Sequence, residues 1–322
     1  MALLEVKDLK KYYSAGGGFF SRKKFVKAVD GVSFTLEEGE TLGLVGESGC
    51  GKSTLARVLL RLEEPQSGSI VLDGTDLCAL KGEKLRRRRG DFQMIFQDPY
   101  ASLNPRRSIY STLEEPLLLH THLDEAGRKE RIGELLDMVG LHREHAGRYP
   151  HQFSGGQRQR IGIARALAVN PRFIVADEPV SALDVSVQAQ IVNLLQDIQK
   201  QTKTAFLFIA HDLAVVEHIS NRIMVMYLGK VMEMGDVRLL CSTPAHPYTE
   251  ALLASVPVLD PAGRGKKKRL TGDVPSPLAP PEGCRFHPRC PYAEKVCMEK
   301  EPEMREIGPG HWCCCHFAEK SR

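Results

Sequence analysis

Short apolar runs separated by polar and helical stretches predict an α/β fold for this chain. Leu3–Leu9 alternates between apolar and polar residues, as a strand with one buried face does, and Val29–Leu36 has a similar pattern. Phe173–Ala176 and Phe206–Ala210 are continuously apolar and lie between helical stretches, which is typical of buried parallel strands. Thr41–Val45 is a further short apolar strand that runs into a glycine-rich turn.

Helical patterns follow that turn and fill the middle of the chain. Lys52–Leu62 contains no helix breaker, so we expect a helix there. From about residue 100 to 168, apolar residues recur at spacings of three and four, which indicates a helical subdomain inserted into the α/β core. Residues 1–245 are therefore expected to form the main domain.

Composition changes after residue 245. The segment Pro257–Pro281 is rich in proline and includes the basic run 266–269, which is typical of a linker. It leads to a small cysteine-rich tail, so we expect residues 246–322 to be a separate C-terminal region. The glycine-rich and basic stretch 14–24 is interpreted as a solvated hairpin loop.

Bulk properties narrow the class of protein. A chain of 322 residues with 42% hydrophobic residues can build one large packed domain with an appendage. Its net charge of +4 is mild, and the run Arg86–Arg89 has no interleaved aromatic residues, so a solvated helix end is favoured over nucleic-acid binding. No apolar run approaches the ~18 residues that a spanning helix needs, and the N-terminus lacks a secretory signal, so a cytoplasmic location is expected.

The segment Gly46–Ser53 matches the phosphate-binding pattern G-x-x-x-x-G-K-[ST] and joins a predicted strand to a predicted helix. Its glycines let backbone N–H groups converge on phosphates, Lys52 would neutralise phosphate oxygens, and Ser53 would bind Mg²⁺. Cys50 is expected to contribute only its backbone. The predicted nucleotide contacts of this loop are Gly46, Ser48, Gly49, Gly51, Lys52, Ser53 and Thr54.

An acidic pair follows the apolar run 173–176. In a parallel sheet, Asp177 would lie at the carboxyl end of its strand, where it could bind Mg²⁺ directly or through water. Glu178, one residue further and just before Pro179, is placed to polarise the attacking water as a general base.

Four motifs in fixed order resemble those of the nucleotide-binding subunits of ABC transporters. They are the phosphate loop, the segment Ser154-Gly155-Gly156-Gln157, the acidic pair, and His211 after a further apolar run. The Ser-Gly-Gly-Gln segment is the most specific of them, because most phosphate-loop proteins lack it. The fold that this resemblance implies is a phosphate-loop NTPase of the ABC type.

The resemblance also implies roles for single residues. His211 matches the histidine that senses the γ-phosphate, and Gln97 matches the Q-loop glutamine that contacts Mg²⁺ or the attacking water. Asp184 lies in a segment that resembles the D-loop. Tyr13 matches the aromatic residue that stacks on adenine, although Tyr12 is a competitor.

The Ser154 segment implies a dimer. Ser154 precedes a predicted helix, so its neighbourhood offers N–H groups to a γ-phosphate, and in the family that ATP belongs to the other subunit. The contacts implied across that interface come from Ser154, Gly155, Gly156 and Gln157. One cassette therefore cannot complete a site alone.

The tail resembles that of the ATP-binding proteins of peptide importers, in the peptide/nickel branch. The resemblance is carried by His246-Pro247-Tyr248-Thr249, Pro275-Ser276-Pro277 and the cysteines. It implies a 4Fe–4S cluster on Cys284, Cys290, Cys297 and Cys315, since the family's last cysteine precedes the position of His316. Cys313 and Cys314 depart from the family pattern and leave the choice of fourth ligand open among Cys313, Cys314 and Cys315, and zinc or metal-free thiols are the alternatives to the cluster.

The function implied is the ATP-hydrolysing subunit of a bacterial importer of dipeptides or oligopeptides, peripheral on the cytoplasmic face of the inner membrane. Its implied partners are a sister ATPase in a heterodimer, with a second copy of this chain as the alternative, two transmembrane permeases and an extracytoplasmic substrate-binding protein. The main alternative is a soluble ABC ATPase that acts on nucleic acid or ribosomes. A non-hydrolysing regulatory cassette would lack Glu178 or His211, and both are present. The transported solute is not encoded in these motifs.

Overall fold

The structure, a computed structural model, describes residues 2–15, 24–255 and 272–318. Most of the predicted loop 14–24, the basic run 266–269 and most of the proline-rich linker lie outside the described residues. The chain forms two compact units. The first is built mainly from Asp73–Ala210 with Leu36–Thr41, and the second from the described parts of Leu4–Thr35, Leu42–Leu72 and His211–Arg322.

Strands are distributed along the whole described chain. They are β1 (Leu4–Ala15), β2 (Lys24–Leu36), β3 (Thr41–Val45), β4 (Ser67–Leu72), β5 (Thr75–Asp76), β6 (Phe92–Ile95), β7 (Phe173–Asp177), β8 (Ala205–Ile209), β9 (Arg222–Tyr227), β10 (Lys230–Asp236), β11 (Arg305–Gly308) and β12 (His311–Cys313).

Helices connect these strands. They are α1 (Lys52–Leu59), α2 (Gly82–Arg88), α3 (Ile109–His120), α4 (Glu125–Met138), α5 (Gly155–Leu167), α6 (Val185–Thr202), α7 (Leu213–Ile219), α8 (Val237–Ser242), α9 (Pro247–Ser255) and α10 (Lys295–Glu299). The helix predicted for Lys52–Leu62 thus ends three residues earlier, at Leu59, and Arg61 adopts a positive φ of 50° that ends helical geometry.

In the first unit, β6, β7 and β8 pair in parallel. Phe92 lies opposite Phe173 and Phe173 opposite Ala205, so the three strands run in one direction with their carboxyl ends together. Every residue of β7 and β8 is buried, as their continuous apolar sequence predicts for strands covered on both faces. Asp177, the last residue of β7, is the only charged residue in these two strands.

Helices α3, α4 and α5 belong to the same unit, and local signals set where each begins. Ser108 and Asp124 cap α3 and α4 by accepting hydrogen bonds from backbone N–H groups of the first turn. The segment between β6 and α3 is non-helical, so the helical pattern expected from about residue 100 begins in ordered helix only at Ile109.

In the second unit, β3 pairs in parallel with β9, and β9, β10, β12 and β11 follow as antiparallel neighbours. A separate antiparallel pairing joins β1 to β4. Because β12 pairs with β10, a strand close to the end of the described chain belongs to the second unit's sheet. Strands β1 and β2 are both longer than the alternating patterns predicted.

Candidate nucleotide-binding site

The loop between β3 and α1 has a conformation that requires glycine. Gly46 and Gly51 both have positive φ, and a Cβ atom at either position would come within 2.1 Å or 2.0 Å of a backbone oxygen, of Met226 and Ala28 respectively. At Gly49 the space that a Cβ would occupy is open. The loop is therefore packed closely against backbone on one side and has space at Gly49.

Lys52 is folded back over this loop. Its Nζ donates to the carbonyl oxygens of Gly46, at 2.7 Å, and Glu47, at 3.3 Å, and the residue is only 6% exposed. A buried ammonium ion held by neutral carbonyls keeps most of its charge available for an anion. Cys50 is also buried, and burial raises the pKa of its thiol, so it is not a reactive group of the loop.

Helix α1 begins without a side-chain cap. Its N-cap is Gly51, which has no side chain to accept from the first-turn N–H groups. Those groups and the positive end of the helix dipole form a ready anion site, with Ser53 and Thr54 half-buried in the first turn. The order of residues, the uncapped helix and the buried lysine together suit the phosphates of a nucleotide.

The acidic pair lies at the carboxyl end of β7. Asp177 is 7% exposed, and Glu178 has a φ of +46°, a left-handed conformation that is unusual for a residue with a side chain. Its backbone N donates to the Ile209 carbonyl oxygen at 3.0 Å, and its carbonyl oxygen accepts from the N–H of Ser181 at 3.2 Å. These bonds hold the turn in its strained geometry.

Gln97 contacts the acidic pair directly. Its Nε2 donates to Glu178 Oε2 at 2.9 Å, although 81 residues separate them. Glu178 is the acceptor in this bond, which is also the role of a general base toward water. Two predicted catalytic residues, Gln97 and Glu178, are thus in contact within the first unit, and Asp177, the predicted Mg²⁺ ligand, precedes Glu178 in the chain.

Ser154 is the N-cap of α5. It forms a capping box with Gln157, in which Ser154 Oγ accepts from Gln157 N at 3.3 Å and Gln157 Oε1 accepts from Ser154 N at 3.1 Å. Ser154 is exposed, and a Cβ at Gly156 would come within 2.5 Å of Val187 on α6. Helix α6 therefore packs against the start of α5, and Asp184 is the exposed N-cap of α6.

Three further predicted residues belong to the second unit. His211 is exposed and precedes α7. Tyr13 is half-buried, and its hydroxyl forms hydrogen bonds involving Glu63 and Thr54, which places this ring beside helix α1. Tyr12 instead donates to Asp30. Thr54 follows Ser53 in the phosphate loop, so Tyr13 is the tyrosine adjacent to the loop's helix.

The basic run Arg86–Arg89 ends helix α2, and three of its charges are paired locally. Arg86 and Arg87 both contact Glu83, at 2.8 Å and 3.2 Å, and Arg88 contacts Asp91 at 2.8 Å. Exposed pairs of this kind contribute little stability, but they reduce the positive field that a nucleic-acid surface requires.

The cysteines of the C-terminal region form two groups. Cys284, Cys290, Cys297 and Cys315 line one small cavity together with aromatic and histidine side chains. Cys313 instead packs with Ala245 and Ala318, and the Cys314 thiol donates to the Pro302 carbonyl oxygen. The predicted fourth ligand, Cys315, is therefore the member of the 313–315 run that shares a cavity with the first three.

Burial raises the pKa of the Cys284 thiol to about 11 and raises that of Cys290 and Cys315. These thiols are protonated at neutral pH and are poor nucleophiles without a cation beside them. Among the residues that the structure describes, no group of three or more His, Cys, Asp or Glu side chains is arranged to hold a metal ion.

One set of loop contacts was missed in the sequence. Glu47, inside the phosphate loop, is bound by Tyr248 and Arg289 from the C-terminal region. A carboxylate in a loop that binds phosphate must be balanced by a cation, and that requirement is the signal that could have indicated a partner for Glu47.

Comparisons with known proteins agree with this geometry. The ABC transporter family matches residues 29–181, and the oligopeptide/dipeptide transporter C-terminal region matches residues 232–297. The oligopeptide transport ATP-binding protein AppF of Bacillus subtilis is 55% identical over 98% of this chain and 97% of its own length. The di/tripeptide transport ATP-binding protein DppF of Pseudomonas aeruginosa is 50% identical over 99% and 98%.

A solved structure gives the same fold. The post-hydrolysis dimer of the ATP-binding cassette MJ0796, bound to ADP and Pi, superposes with a TM-score of 0.65 at 30% identity over 73% of this chain and 99% of that one. Within the described residues, no helix is long and apolar enough to cross a membrane. The phosphate loop, the acidic pair and 50–55% identity to these relatives over nearly the full length show that this chain belongs to the ATPases of the ABC transporter family, in its oligopeptide/dipeptide branch.

Proposed function

We propose that this chain binds and hydrolyses ATP to power the import of dipeptides or oligopeptides. The observation that carries the proposal is the union, on one polypeptide, of a phosphate loop built for an anion and the C-terminal region typical of peptide transporters. The relatives named above are peptide transport proteins, and none of them supports the alternative of a soluble ATPase on nucleic acid or ribosomes.

Each predicted site residue has a separate role in binding or hydrolysing the nucleotide. Lys52 and the N–H groups of the loop bind the phosphates, and Ser53 and Asp177 hold Mg²⁺. Glu178 accepts a proton from the attacking water, and Gln97 orients Glu178 and that water. His211 contacts the γ-phosphate, and Tyr13 stacks on the adenine.

We also propose that this chain has the domain arrangement of its family. Residues 1–245 act as the nucleotide-binding domain, and the helices from about 100 to 168 act as its inserted helical subdomain. Residues 246–322 form the peptide-importer C-terminal region with its cysteine group. The placement is peripheral, on the cytoplasmic face of the bacterial inner membrane.

A second ATPase subunit completes each site. Ser154 and Asp184 are exposed, and Val185 beside Asp184 is 82% exposed, an unusual position for an apolar side chain at a helix N-terminus. The support for a partner at this position is the resemblance of the Asp184 segment to the family's D-loop, which contacts the opposite subunit. We assign the partner as a sister ATPase in a heterodimer, with Ser154 facing the partner's ATP.

The permease partners dock on the helical region of the first unit. Leu118 and Leu119 of α3 are 57% and 56% exposed and line an open groove. The groove is also lined by Arg106, Arg107, Ser108, Glu115 and Tyr149. Two adjacent exposed leucines beside paired charges suit a protein partner. A substrate-binding protein delivers the peptide to the permeases from outside.

The groove assignment gives a prediction for the assembled transporter. Replacing both leucines, Leu118→Asp with Leu119→Asp, should abolish co-purification with the permeases, because two carboxylates would be buried in the contact. Subunits that co-purify with the tagged chain are identified by mass spectrometry. Leu123→Asp, at a 40% exposed leucine outside the groove, is the matched control and should retain the permeases. Full permease recovery with the double variant would contradict this docking surface.

We also propose that the cysteine cavity holds a 4Fe–4S cluster. The support is the donor set alone, because four thiols line one cavity and four thiolates are the usual ligands of such a cluster, whereas among the described residues they are not arranged around a metal position. Cys284, Cys290, Cys297 and Cys315 would hold it, and the bound cluster would cross-link the C-terminal region.

Anaerobically purified protein should then be brown and carry about four irons per chain. Changing Cys284, Cys290 or Cys297 to Ser should each bleach it, and Cys315→Ser should do so too, since Cys313 and Cys314 face other surroundings. The matched control is Cys313→Ser, which should leave the visible absorption unchanged. If the anaerobic protein were colourless and contained stoichiometric zinc, the cluster assignment would be wrong and the cavity would be a structural zinc site.

A further inference from the structure

Glu47 of the phosphate loop is held from the C-terminal region by two side chains. The Arg289 guanidinium binds its carboxylate through both terminal nitrogens, at 2.6 Å and 3.0 Å. The Tyr248 hydroxyl accepts a hydrogen bond from the Glu47 backbone N at 2.9 Å. Arg289 and Tyr248 are 7% and 0% exposed, so both contacts are made by buried groups. The hydrogen bonds to Glu47 raise the pKa of Arg289.

The two holding residues share a rigid support. Tyr227, Tyr248 and Phe286 are fully buried and pack against one another. The Tyr227 ring centroid lies 4.7 Å from that of Tyr248 and 5.5 Å from that of Phe286, and the centroids of Tyr248 and Phe286 are 5.3 Å apart. Arg289 also contacts the hydroxyl of Tyr227, at 3.4 Å. Such packed aromatic contacts resist displacement, so Arg289 and Tyr248 present fixed groups to the loop.

Fixing Glu47 fixes the loop around Lys52. The Glu47 carbonyl oxygen accepts from Lys52 Nζ at 3.3 Å and from Cys50 N at 3.2 Å. A shift of Glu47 would therefore move the acceptors that position the ammonium ion. The Glu47 carboxylate also lies in a loop that receives phosphates, and without a counter-charge it would repel them.

We propose that Arg289 and Tyr248 are positioning residues for nucleotide binding, which neutralise Glu47 and hold the phosphate loop in its phosphate-binding shape from the C-terminal region. This inference rests on the proposed role of loop 46–53 as the nucleotide site. Arg289 directly precedes Cys290, and Phe286 lines the cysteine cavity as well as belonging to the aromatic group. The same short segment therefore carries a cavity thiol and a contact to the loop.

The test measures nucleotide affinity and turnover separately in the full-length chain within its assembled transporter. Binding of a fluorescent ATP analogue with Mg²⁺ gives Kd, and steady-state hydrolysis gives KM and kcat. Arg289→Met should raise Kd and KM about tenfold, the scale of one bidentate charged contact, while kcat at saturating ATP changes less than about twofold. The Kd and KM of Arg289→Lys should lie between those of the wild type and of Arg289→Met, because an ammonium ion keeps the charge and loses the bidentate geometry.

Charge neutralisation predicts a specific rescue. Glu47→Gln combined with Arg289→Met should return Kd to within about threefold of wild type, because the variant loop no longer carries an unpaired carboxylate. Tyr248→Phe keeps the aromatic packing and removes only the hydroxyl, so it should raise Kd about threefold even if Arg289→Met folds poorly. Unchanged Kd in Tyr248→Phe and Arg289→Met, or additive effects in the double variant, would overturn the inference.

Two further variants separate the possible failures. His311→Gln breaks a more deeply buried pair with Glu233, at 2.7 Å in the same region, and should lower the unfolding temperature without changing Kd. A raised Kd in this control would assign the Arg289 effect to general loss of structure. Lys52→Ala should abolish binding of the analogue. Normal binding by Lys52→Ala would overturn the proposed nucleotide site itself. If Lys52→Ala loses binding while the Arg289 and Tyr248 variants keep the wild-type Kd, only the positioning role would be overturned.

Discussion

Glu178→Gln should lower ATP turnover by about 10²–10⁴-fold, the usual scale for loss of a general base. Glutamine keeps the size of the side chain and can still bond to Gln97, so the 2.9 Å contact and the strained turn at φ +46° have no reason to collapse. What is lost is the charged oxygen that accepts a proton from water. Affinity for ATP should therefore be retained, and the variant should accumulate in the ATP-bound state.

Turnover and binding must be measured on the same preparation. Glu144→Gln, at an exposed glutamate of the same unit far along the chain from the acidic pair, is the matched control and should hydrolyse ATP normally. If Glu178→Gln turned over near the wild-type rate in the assembled complex, Glu178 would have no role as the base. If ATP binding were lost as well, its role would be structural.

Ser154→Arg should abolish ATP-driven closure of the ATPase pair while sparing nucleotide binding at this chain's own loop. Ser154 is exposed at the start of α5, and in the proposed pair arginine would place bulk and positive charge where the γ-phosphate of the partner's ATP approaches. Because hydrolysis follows closure in the proposed pair, turnover should fall to background. Cross-linking between engineered cysteines on the two ATPases, with and without ATP, measures closure.

The loss of the helix cap must be separated from the steric effect. Removing the capping box costs about 1 kcal/mol of stability, whichever residue replaces serine. Ser154→Ala loses the cap but adds no bulk, so it should close with ATP far better than Ser154→Arg. ATP-dependent cross-linking that is the same in Ser154→Arg and wild type would contradict the shared site.

The sequence predicted the buried strands and the phosphate loop, because the structure of each depends on residues within a short segment. The positions of strands β7 and β8 were predicted to within a residue, because a short, continuously apolar run is typical of a strand buried on both faces. The phosphate loop was equally readable, since Gly46 and Gly51 occupy positions where any side chain would meet backbone oxygen. A steric constraint of this kind can be recognised in the sequence, because glycine is the residue type that satisfies it.

Contacts between distant segments were not readable. Arg289 and Glu47 are 242 residues apart, and neither residue's neighbours indicate the other. The positive φ of Glu178 depends on bonds to Ile209 and Ser181 that form only in the folded sheet. The cysteine spacing likewise left three candidates for a fourth ligand, and only packing shows that Cys315 alone of these faces the cavity.

The most direct test of the central claim is peptide uptake by the reconstituted transporter. Proteoliposomes would contain this chain, its ATPase partner and the permeases, with the substrate-binding protein and a labelled dipeptide or oligopeptide outside and ATP with Mg²⁺ at the ATPase side. Peptide should accumulate with ATP, fail to accumulate with ADP, and fail again when this chain carries Glu178→Gln. Equal accumulation with the Glu178→Gln chain, or ATP hydrolysis that moves no peptide of any length, would contradict the account.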